Sequence, residues 1–272
     1  MLKTKSFLYL VFLFLSLSIS CSTKASAKNS ISGEIKSLPK GALQLILEED
    51  INRKKSRVIA EIPIDENGRF MFEKELFPHI YSLKINNEKS VMLAVGKGQN
   101  IVITGDAAGS GRLQVTGSED TAKLEAYEKF RKESLNRLVI SIRDQIKELK
   151  EKGTPENDPK LLELAKLEIE NYDQHKDELI EFIKKEMGNS VAIYPTSIRW
   201  DGEKNIPFLI ELAKQFEITY PNTEIALRIN EKVKALTANT IGGKVAEIKM
   251  PDKNGVIVPL ISIKAKYILI DF

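Results

Sequence analysis

The sequence predicts an α+β chain with an antiparallel β-sandwich first, an all-helical bundle second and the start of an α/β domain last. Short alternating strands separated by turn residues occupy 30–118, a pattern typical of a sandwich. Apolar residues at three- and four-residue spacing occupy 119–237, which is typical of amphipathic helices. The final run YILIDF at 267–272 is too apolar to alternate and indicates a strand buried on both faces.

Residues 1–20 have the pattern of a secretory signal peptide. Lys3 and Lys5 supply a basic start, residues 7–19 an apolar stretch, and small residues precede Cys21. The apolar stretch is too short for a stable transmembrane helix. The segment SISC at 18–21 resembles a bacterial lipobox, with Ser18 where Leu is more usual. The resemblance implies that Cys21 is diacylated, becomes the mature N-terminus and anchors the chain to a membrane on the periplasmic side of the bacterial cell envelope.

The segment ASA at 25–27 leaves a second processing route open. Ordinary signal-peptidase cleavage after Ala27 would secrete the chain into the periplasm and remove Cys21. We favour lipidation because Cys21 is the only Cys among the 272 residues and lies where a lipobox needs it. Residues 21–29 are mostly small and polar, as expected of a tether between membrane and fold.

Charge and cysteine content exclude several functional classes. The formal net charge is +3, and two of these charges come from Lys3 and Lys5. Without them, 39 basic residues face 38 acidic ones, so we expect no nucleic-acid partner. Because no Cys follows Cys21, the folded part is predicted to lack disulfides, thiolate nucleophiles and Cys metal sites. We expect no catalytic residue, cofactor or metal in these 272 residues.

The first domain, 30–118, is predicted to be all β. Period-two alternation and turn residues place strands near 30–37, 42–49, 56–64, 69–74, 79–86, 90–95, 99–104 and 111–116. The segments DENGRF at 65–70, VMLAVGKG at 91–98 and IVITGD at 101–106 resemble a β-sandwich domain of unknown function. That domain stands at the front of many bacterial envelope thioredoxin-like proteins. The resemblance implies an architecture and no ligand.

The second region, 119–237, is predicted to contain a long helical hairpin. The turn GTPENDP at 153–159 separates two amphipathic stripes, so the two helices fold back on each other. The first stripe contains Leu135, Leu138, Ile142, Ile146 and Leu149; the second contains Leu162, Ala165, Ile169, Tyr172, Leu179, Ile183 and Met187. An intramolecular bundle with a solvated outer face is the favoured interpretation. A coiled-coil dimer or a partner-binding surface is the alternative.

Residues that often carry chemistry are few. His79 and His175 lie in different predicted regions, and both are expected at surface or boundary positions. The loop GDAAGSG at 105–111 lacks the Lys-Ser/Thr pair of a phosphate-binding loop and precedes a strand rather than a helix. The acidic pair Glu119 and Asp120 is interpreted as part of a solvated turn, and Trp200 as a capping or packing residue.

The closing segment, 238–272, carries the most specific functional clue. IGGKVA at 241–246, PDKNG at 251–255 and KAKYILIDF at 264–272 resemble the opening of a thioredoxin-like domain. The family is the membrane-anchored thiol–disulfide oxidoreductases of the TlpA and ResA type, which are related to the AhpC/TSA peroxiredoxins. Glu247 stands where the family commonly has Pro, and Ala265 where it commonly has Gly.

That resemblance implies an opening hairpin, a first central strand and then a loop with a redox Cys-x-x-Cys. Neither the Cys pair nor the family's cis-Pro has a counterpart in the 272 residues, so no catalytic residue is carried over. The resulting hypothesis is the non-catalytic front part of an envelope thiol–disulfide oxidoreductase, an incomplete domain that is inactive as given. Protein thiols or disulfides would be partners of the complete domain.

The alternative is a non-catalytic envelope lipoprotein that acts as a binding or scaffold module. A glycan-binding sandwich rests on fold analogy alone and is the weakest hypothesis.

Overall fold

The computed structural model describes residues 28–38, 42–48, 56–85, 89–196, 203–238 and 247–270. The predicted signal peptide, Cys21 and Trp200 lie outside the described residues. The strands of the first region are β1 (Asn29–Lys36), β2 (Ala42–Glu48), β3 (Ser56–Pro63), β4 (Arg69–Lys74), β5 (His79–Lys84), β6 (Ser90–Val95), β7 (Asn100–Asp106) and β8 (Leu113–Thr116). The helices are α1 (Glu119–Leu135), α2 (Ser141–Glu151), α3 (Pro159–Phe182), α4 (Ile206–Thr219) and α5 (Glu224–Ala238). The chain therefore has mixed α and β content.

The first eight strands form two four-stranded sheets. One sheet has the order β4-β1-β7-β8 and the other the order β3-β2-β5-β6. The second sheet is antiparallel throughout, whereas β1 pairs with β7 in parallel, so the prediction of purely antiparallel pairing is wrong there. Parallel neighbours need a long connection, and here the chain between β1 and β7 builds the whole second sheet.

A glycine allows β1 and β7 to approach closely. Gly33 of β1 lies opposite Ile103 of β7 in the parallel register. A Cβ at Gly33 would lie 1.8 Å from the carbonyl oxygen of Ile103, a distance that no side chain could occupy. Gly33 is thus required by the parallel pairing.

The two sheets share one apolar core. Ile31 and Ile103 of the first sheet and Leu45 and Leu83 of the second are fully buried members of one cluster. Their contact follows from the period-two alternation of each strand, which turns every second side chain to the same face.

A second core lies between the β3-β2-β5-β6 sheet and the helices. Ile80 of β5 and Ala94 of β6 belong to the same buried cluster as Tyr127, Ile193 and Phe216 of the helical region. The helices therefore cover the face of this sheet that is turned away from the first sheet. Strand β5 is buried on both faces as a result, and every residue from 79 to 83 is buried.

The N-terminus of α1 seals the free edge of strand β6. The hydroxyl of Thr121 accepts a hydrogen bond from the Ala94 N–H at 3.1 Å and donates to the Ala94 carbonyl oxygen at 3.1 Å. The hydroxyl of Ser118 also donates to that carbonyl oxygen, at 2.9 Å, and caps α1 by accepting from the Thr121 N–H. The N–H and carbonyl groups that Ala94 turns to the edge of the sheet are thus satisfied by side chains.

The predicted helical hairpin is present, with an irregular first arm. A π-helical turn, Asn136–Ile140, joins α1 to α2, and a second one, Ile183–Met187, follows α3. Asp158 caps α3 by accepting from the Lys160 N–H at 2.8 Å, and Pro159 occupies the first helical position. The side-chain amide of Asn171 donates to the Leu138 carbonyl oxygen at 2.7 Å and so supports the π-helical turn from the opposite arm.

The second apolar stripe only partly faces the bundle. Leu179, Ile183 and Met187 of that stripe are buried in the core between sheet and helices. Leu161 and Leu164, which were not predicted as part of the stripe, are buried as well. Leu162 and Ile169, which were predicted to pack inward, are exposed by 56% and 66%. The prediction is wrong here because α3 carries apolar residues on two adjacent faces, and α2 covers only the one that contains Leu161.

The closing segment begins with a short hairpin. Strands β9 (Lys249–Pro251) and β10 (Ile257–Pro259) pair antiparallel. The carboxylate of Asp252 accepts from the N–H groups of Asn254 and Val256 at 2.8 and 2.9 Å, which fixes the turn. Gly255 takes a positive φ of 81° in that turn, a conformation open to glycine at little cost.

The predicted final strand is not formed over its described residues. Residues 267–270 have no regular secondary structure, and Tyr267 and Leu269 are exposed by 83% and 96%. A strand exists only where a neighbour pairs with it, and no described segment lies beside these residues to do so. Among the described helices, none combines the length and apolarity needed to cross a membrane.

Candidate functional site

The sequence assigned one site residue, Cys21, and it lies outside the described residues. Within the described ranges, no group of three or more His, Cys, Asp or Glu side chains is placed to hold a metal ion. Within these ranges, the fold brings together three polar clusters with buried or bridging groups, which are centred on Ser134, Asp120 and Lys89.

The first is a buried polar network between the two arms of the hairpin. Nδ1 of His175 lies 2.9 Å from the hydroxyl oxygen of Ser134, and this hydroxyl donates to Oε2 of Glu178 at 2.7 Å. The guanidinium of Arg137 donates to the same carboxylate oxygen. Ser134 and His175 are buried, whereas Arg137 reaches the surface. Because the Ser134 proton is directed to Glu178, the His175 Nδ1 is assigned as the donor to Ser134.

Glu178 is the acidic group of this network, and its hydrogen-bond partners determine its pKa. Partial burial acts to raise the pKa of Glu178, but hydrogen bonds from Ser134, Arg137 and Gln174 outweigh it, and the net shift is downward. Glu178 is therefore ionised at neutral pH and paired with Arg137 at the rim of the network.

The network has the residue types of a hydrolytic triad in the wrong order. A nucleophilic Ser needs the His as its proton acceptor and the carboxylate on the far side of that His. Here the Ser lies between the His and the carboxylate and is only 2% exposed, so a substrate cannot reach it. Holding the two arms in register is what this geometry can do.

The surface positions expected for the two histidines are wrong. His175 is 3% exposed because the hairpin closes over it, and His79 is 2% exposed because it begins the doubly covered strand β5. The ring of His79 packs edge-on against Tyr194 with 5.1 Å between ring centroids. His79 lies against Tyr194, whereas His175 lies between the two arms of the hairpin beside Ser134, so the two rings form no common site.

Asp120 is also placed differently from the prediction. Instead of lying in a solvated turn, it joins the sheets to the helices, because its carboxylate accepts from Ser190 at 2.5 Å and from Gln99 at 2.7 Å. Gln99 in turn accepts from the Gly96 N–H at 3.0 Å. This chain of bonds is a structural joint between β6, β7 and the segment after α3.

The glycine-rich loop at 105–111 behaves as predicted from its context. It connects β7 to β8, both strands, and the ammonium group of Lys89 donates to the carbonyl oxygens of Ala108 and Gly111 at 3.3 and 3.1 Å. A phosphate-binding loop directs N–H groups at its ligand, whereas here two carbonyl groups converge on a cation.

An open cleft of about 460 Å³ lies between the start of β6, the β7–β8 loop and α1. Its walls combine apolar side chains with charged groups of both signs: Lys89, Val91, Met92, Leu113, Leu124, Glu125, Glu128 and Lys132. Partial burial raises the pKa of Glu125, and Glu128 is paired with Arg131 at 2.7 Å. The cleft can accept an amphipathic group, and its open form and mixed charge select no particular chemistry.

Comparison with known proteins gives no family assignment: no protein-family model matches the chain, and no curated protein matches it.

The sequence analysis did not predict the hydrogen-bonded network of Ser134, His175, Glu178 and Arg137 (the Ser134 network), although the spacing of these residues could have indicated it. Ser134 and Arg137 are three residues apart on one predicted arm, and His175 and Glu178 are three apart on the other. Residues at that spacing share a helix face, so two polar pairs on facing arms could have been matched. Which register brings them together depends on the loop and on the π-helical turn, and neither follows from periodicity.

Proposed function

We propose that these 272 residues form the non-catalytic front part of a membrane-anchored envelope thiol–disulfide oxidoreductase with a thioredoxin-like domain. The observation that carries the proposal is the closing segment. Its sequence resembles the opening of such a domain, and its apolar residues lie on the surface instead of in a core. Ile261, Tyr267 and Leu269 are among the most exposed apolar side chains of the described residues. Soluble domains rarely leave so much contiguous apolar surface uncovered.

The β9–β10 hairpin supports the same proposal. The resemblance implies a hairpin that leads into the first central strand, and the PDKNG segment forms the turn of a hairpin stabilised by Asp252. A central strand of a thioredoxin-like sheet has neighbours on both sides and helices over both faces. With neighbours and helices in place, residues 267–270 would gain the pairing that they lack among the described residues.

The envelope location rests on the N-terminal segment. A basic start, an apolar stretch and SISC at 18–21 support export followed by diacylation of Cys21. The tether then holds the sheets and helices at the periplasmic face of the membrane. In the complete protein, dithiol–disulfide exchange would proceed through a mixed disulfide with protein thiols or disulfides as partners.

A direct activity assay tests the catalytic part of the proposal. The chain from residue 22 contains no Cys, so it should not accelerate reduction of a protein disulfide beyond dithiothreitol alone. Turnover above that background would contradict the assignment of this part as non-catalytic. A reading frame that continues past Phe272 into a Cys-x-x-Cys motif would support the redox assignment, and a stop codon with no such motif in any nearby frame would refute it.

The second candidate is a non-catalytic envelope lipoprotein that binds or scaffolds a partner. It is favoured by the cleft beside α1, because this cleft lies entirely between the sheets and the helices and needs no closing segment. A Cys21→Ser variant tests what the two candidates share. We expect it to move from the detergent phase to the aqueous phase after cell fractionation, whereas an unchanged distribution would exclude Cys21 as the anchor.

A further inference from the structure

Helix α3 carries an apolar seam that is largely exposed in the described part of the chain. Only at Tyr172 does a side chain of the described residues lie over it, where the guanidinium of Arg143 from α2 is 5.8 Å from the centroid of the ring. The seam consists of Leu162, Ala165, Ile169 and Tyr172, all of which are exposed. The spacing of three, four and three residues is that of the a and d positions in a coiled coil. A partner that matches such a seam is another helix, because alternating three- and four-residue steps line up only with a helical neighbour.

The tip of the hairpin that carries the seam consists of two helices, α2 and α3. The tip of its first arm, α2, packs mainly on α3 and on the π-helical turn before it. Ile142 is the buried residue of α2, and it lies on the inner side of the hairpin with Leu161 and Leu164. Two helices joined by a short loop bury one seam between them, whereas two such hairpins side by side bury several seams and make a four-helix bundle.

Charged residues beside the seam indicate what the partner is. Taking Ile169 as an a position and Tyr172 as a d position, Lys166 and Asp173 both fall at e, and Glu168 falls at g. In a parallel pair of copies, Glu168 of one copy would face Asp173 of the other, so two carboxylates would meet. Glu168 is already paired with Arg143 of its own α2 at 2.6 Å, so the parallel arrangement gains no ion pair there. In an antiparallel pair, e positions face each other, so Lys166 of each copy can meet Asp173 of the other.

We propose that α3 pairs antiparallel with α3 of a second copy of this chain, with Ile169 of one copy packed on Tyr172 of the other. Two symmetric Lys166–Asp173 ion pairs flank this contact, as expected of a self-complementary two-fold interface. Within one copy, Lys166 pairs with Glu170 at 3.7 Å on the surface, and Asp173 pairs with the partly buried Lys176 at 2.9 Å. Surface pairs of this kind exchange partners at little cost.

Sedimentation equilibrium of the chain from residue 22, over a series of concentrations, tests the pairing. The wild type should show a monomer–dimer equilibrium, and Ile169→Glu should raise its dissociation constant on the order of tenfold or more because a carboxylate would be buried at the contact. Leu227→Glu is the matched control, since Leu227 is 61% exposed on α5, outside the seam. It should leave the equilibrium unchanged. Far-UV circular dichroism verifies that both variants keep their helix content.

A charge exchange separates self-pairing from binding to some other protein. Lys166→Asp should weaken the dimer by placing like charges together, and the double variant with Asp173→Lys should restore it. Because the chain from residue 22 has no Cys, a Lys166→Cys variant mixed with an Asp173→Cys variant should give a mixed disulfide in preference to either homodimer. A monomeric wild type at every concentration, or a dimer unaffected by Ile169→Glu, would overturn the proposal.

Discussion

Loss of a single hydroxyl at the junction between sheet and helices should destabilise the chain measurably. Thr121 is 1% exposed, and its hydroxyl is the group that accepts from the edge N–H of Ala94. Thr121→Val keeps the shape of the side chain but leaves this buried N–H without a partner. The Ala94 carbonyl oxygen retains its bond from Ser118. A buried donor left unsatisfied costs about 1–3 kcal/mol, so we expect a loss of that size in the free energy of unfolding.

Urea denaturation followed by far-UV circular dichroism measures this loss. With a slope of about 2 kcal/mol/M, the midpoint should fall by roughly 0.5–1.5 M. Thr104→Val is the control, because Thr104 lies on the exposed face of β7, where a substitution should change stability by no more than about 0.5 kcal/mol. Thr121→Ser, which keeps the hydroxyl, should retain most of the stability. If Thr121→Val unfolded at the wild-type midpoint, the edge-sealing role of this hydroxyl would be refuted.

Three further results are expected from the same region and from the closing segment. Glu178→Gln should destabilise the chain at neutral pH and progressively less as the pH falls. The pKa of Glu178 in the folded chain lies below its ordinary value of 4.5. The stability that the ionised carboxylate contributes is therefore complete above pH 4.5 and is lost as the pH falls through the folded pKa. Equal urea midpoint differences at pH 7 and pH 3 would argue against this. Asn171→Ala removes the bond to the Leu138 carbonyl oxygen and should cost about 1 kcal/mol in urea unfolding, and no loss would mean that the π-helical turn is self-sufficient. The chain 22–238 should remain soluble at higher concentration than 22–272, because it lacks the exposed apolar segment; equal solubility by light scattering would show that this segment is covered in solution.

The β region was largely predictable because its strands are short and amphipathic. All eight strands lie within two residues of the predicted bounds, since alternation and turn glycines mark both ends of a strand. Pairing was not predictable to the same degree. The parallel contact of β1 and β7 is set by partners far apart in sequence, and a single pattern such as NSISGEIK fits either direction.

In the helical region, the elements could be predicted from the sequence but the buried face of α3 could not. Periodicity located the hairpin and its turn, but it could not say which of two neighbouring apolar faces of α3 would be buried. Leu161 and Leu162 are adjacent in sequence and about 100° apart around the helix, and only the packing of α2 decides between them.

Burial of the two histidines is likewise decided by tertiary packing. Lone His79 and His175 carry no local signal of burial, because their exposure depends on which elements cover β5 and α3. The Ser134 network could be found only as two matched pairs and only with the correct register of the arms.

Peptide mapping by mass spectrometry of the native protein, purified from the cell envelope, tests both the lipid anchor and the oxidoreductase assignment. We predict an N-terminal peptide that begins at Cys21 and carries a diacylglycerol group. It also predicts that the peptide containing YILIDF at 267–272 continues into a sequence with a Cys-x-x-Cys pair. A native protein that ends at Phe272 and contains no thiol pair would contradict the oxidoreductase assignment.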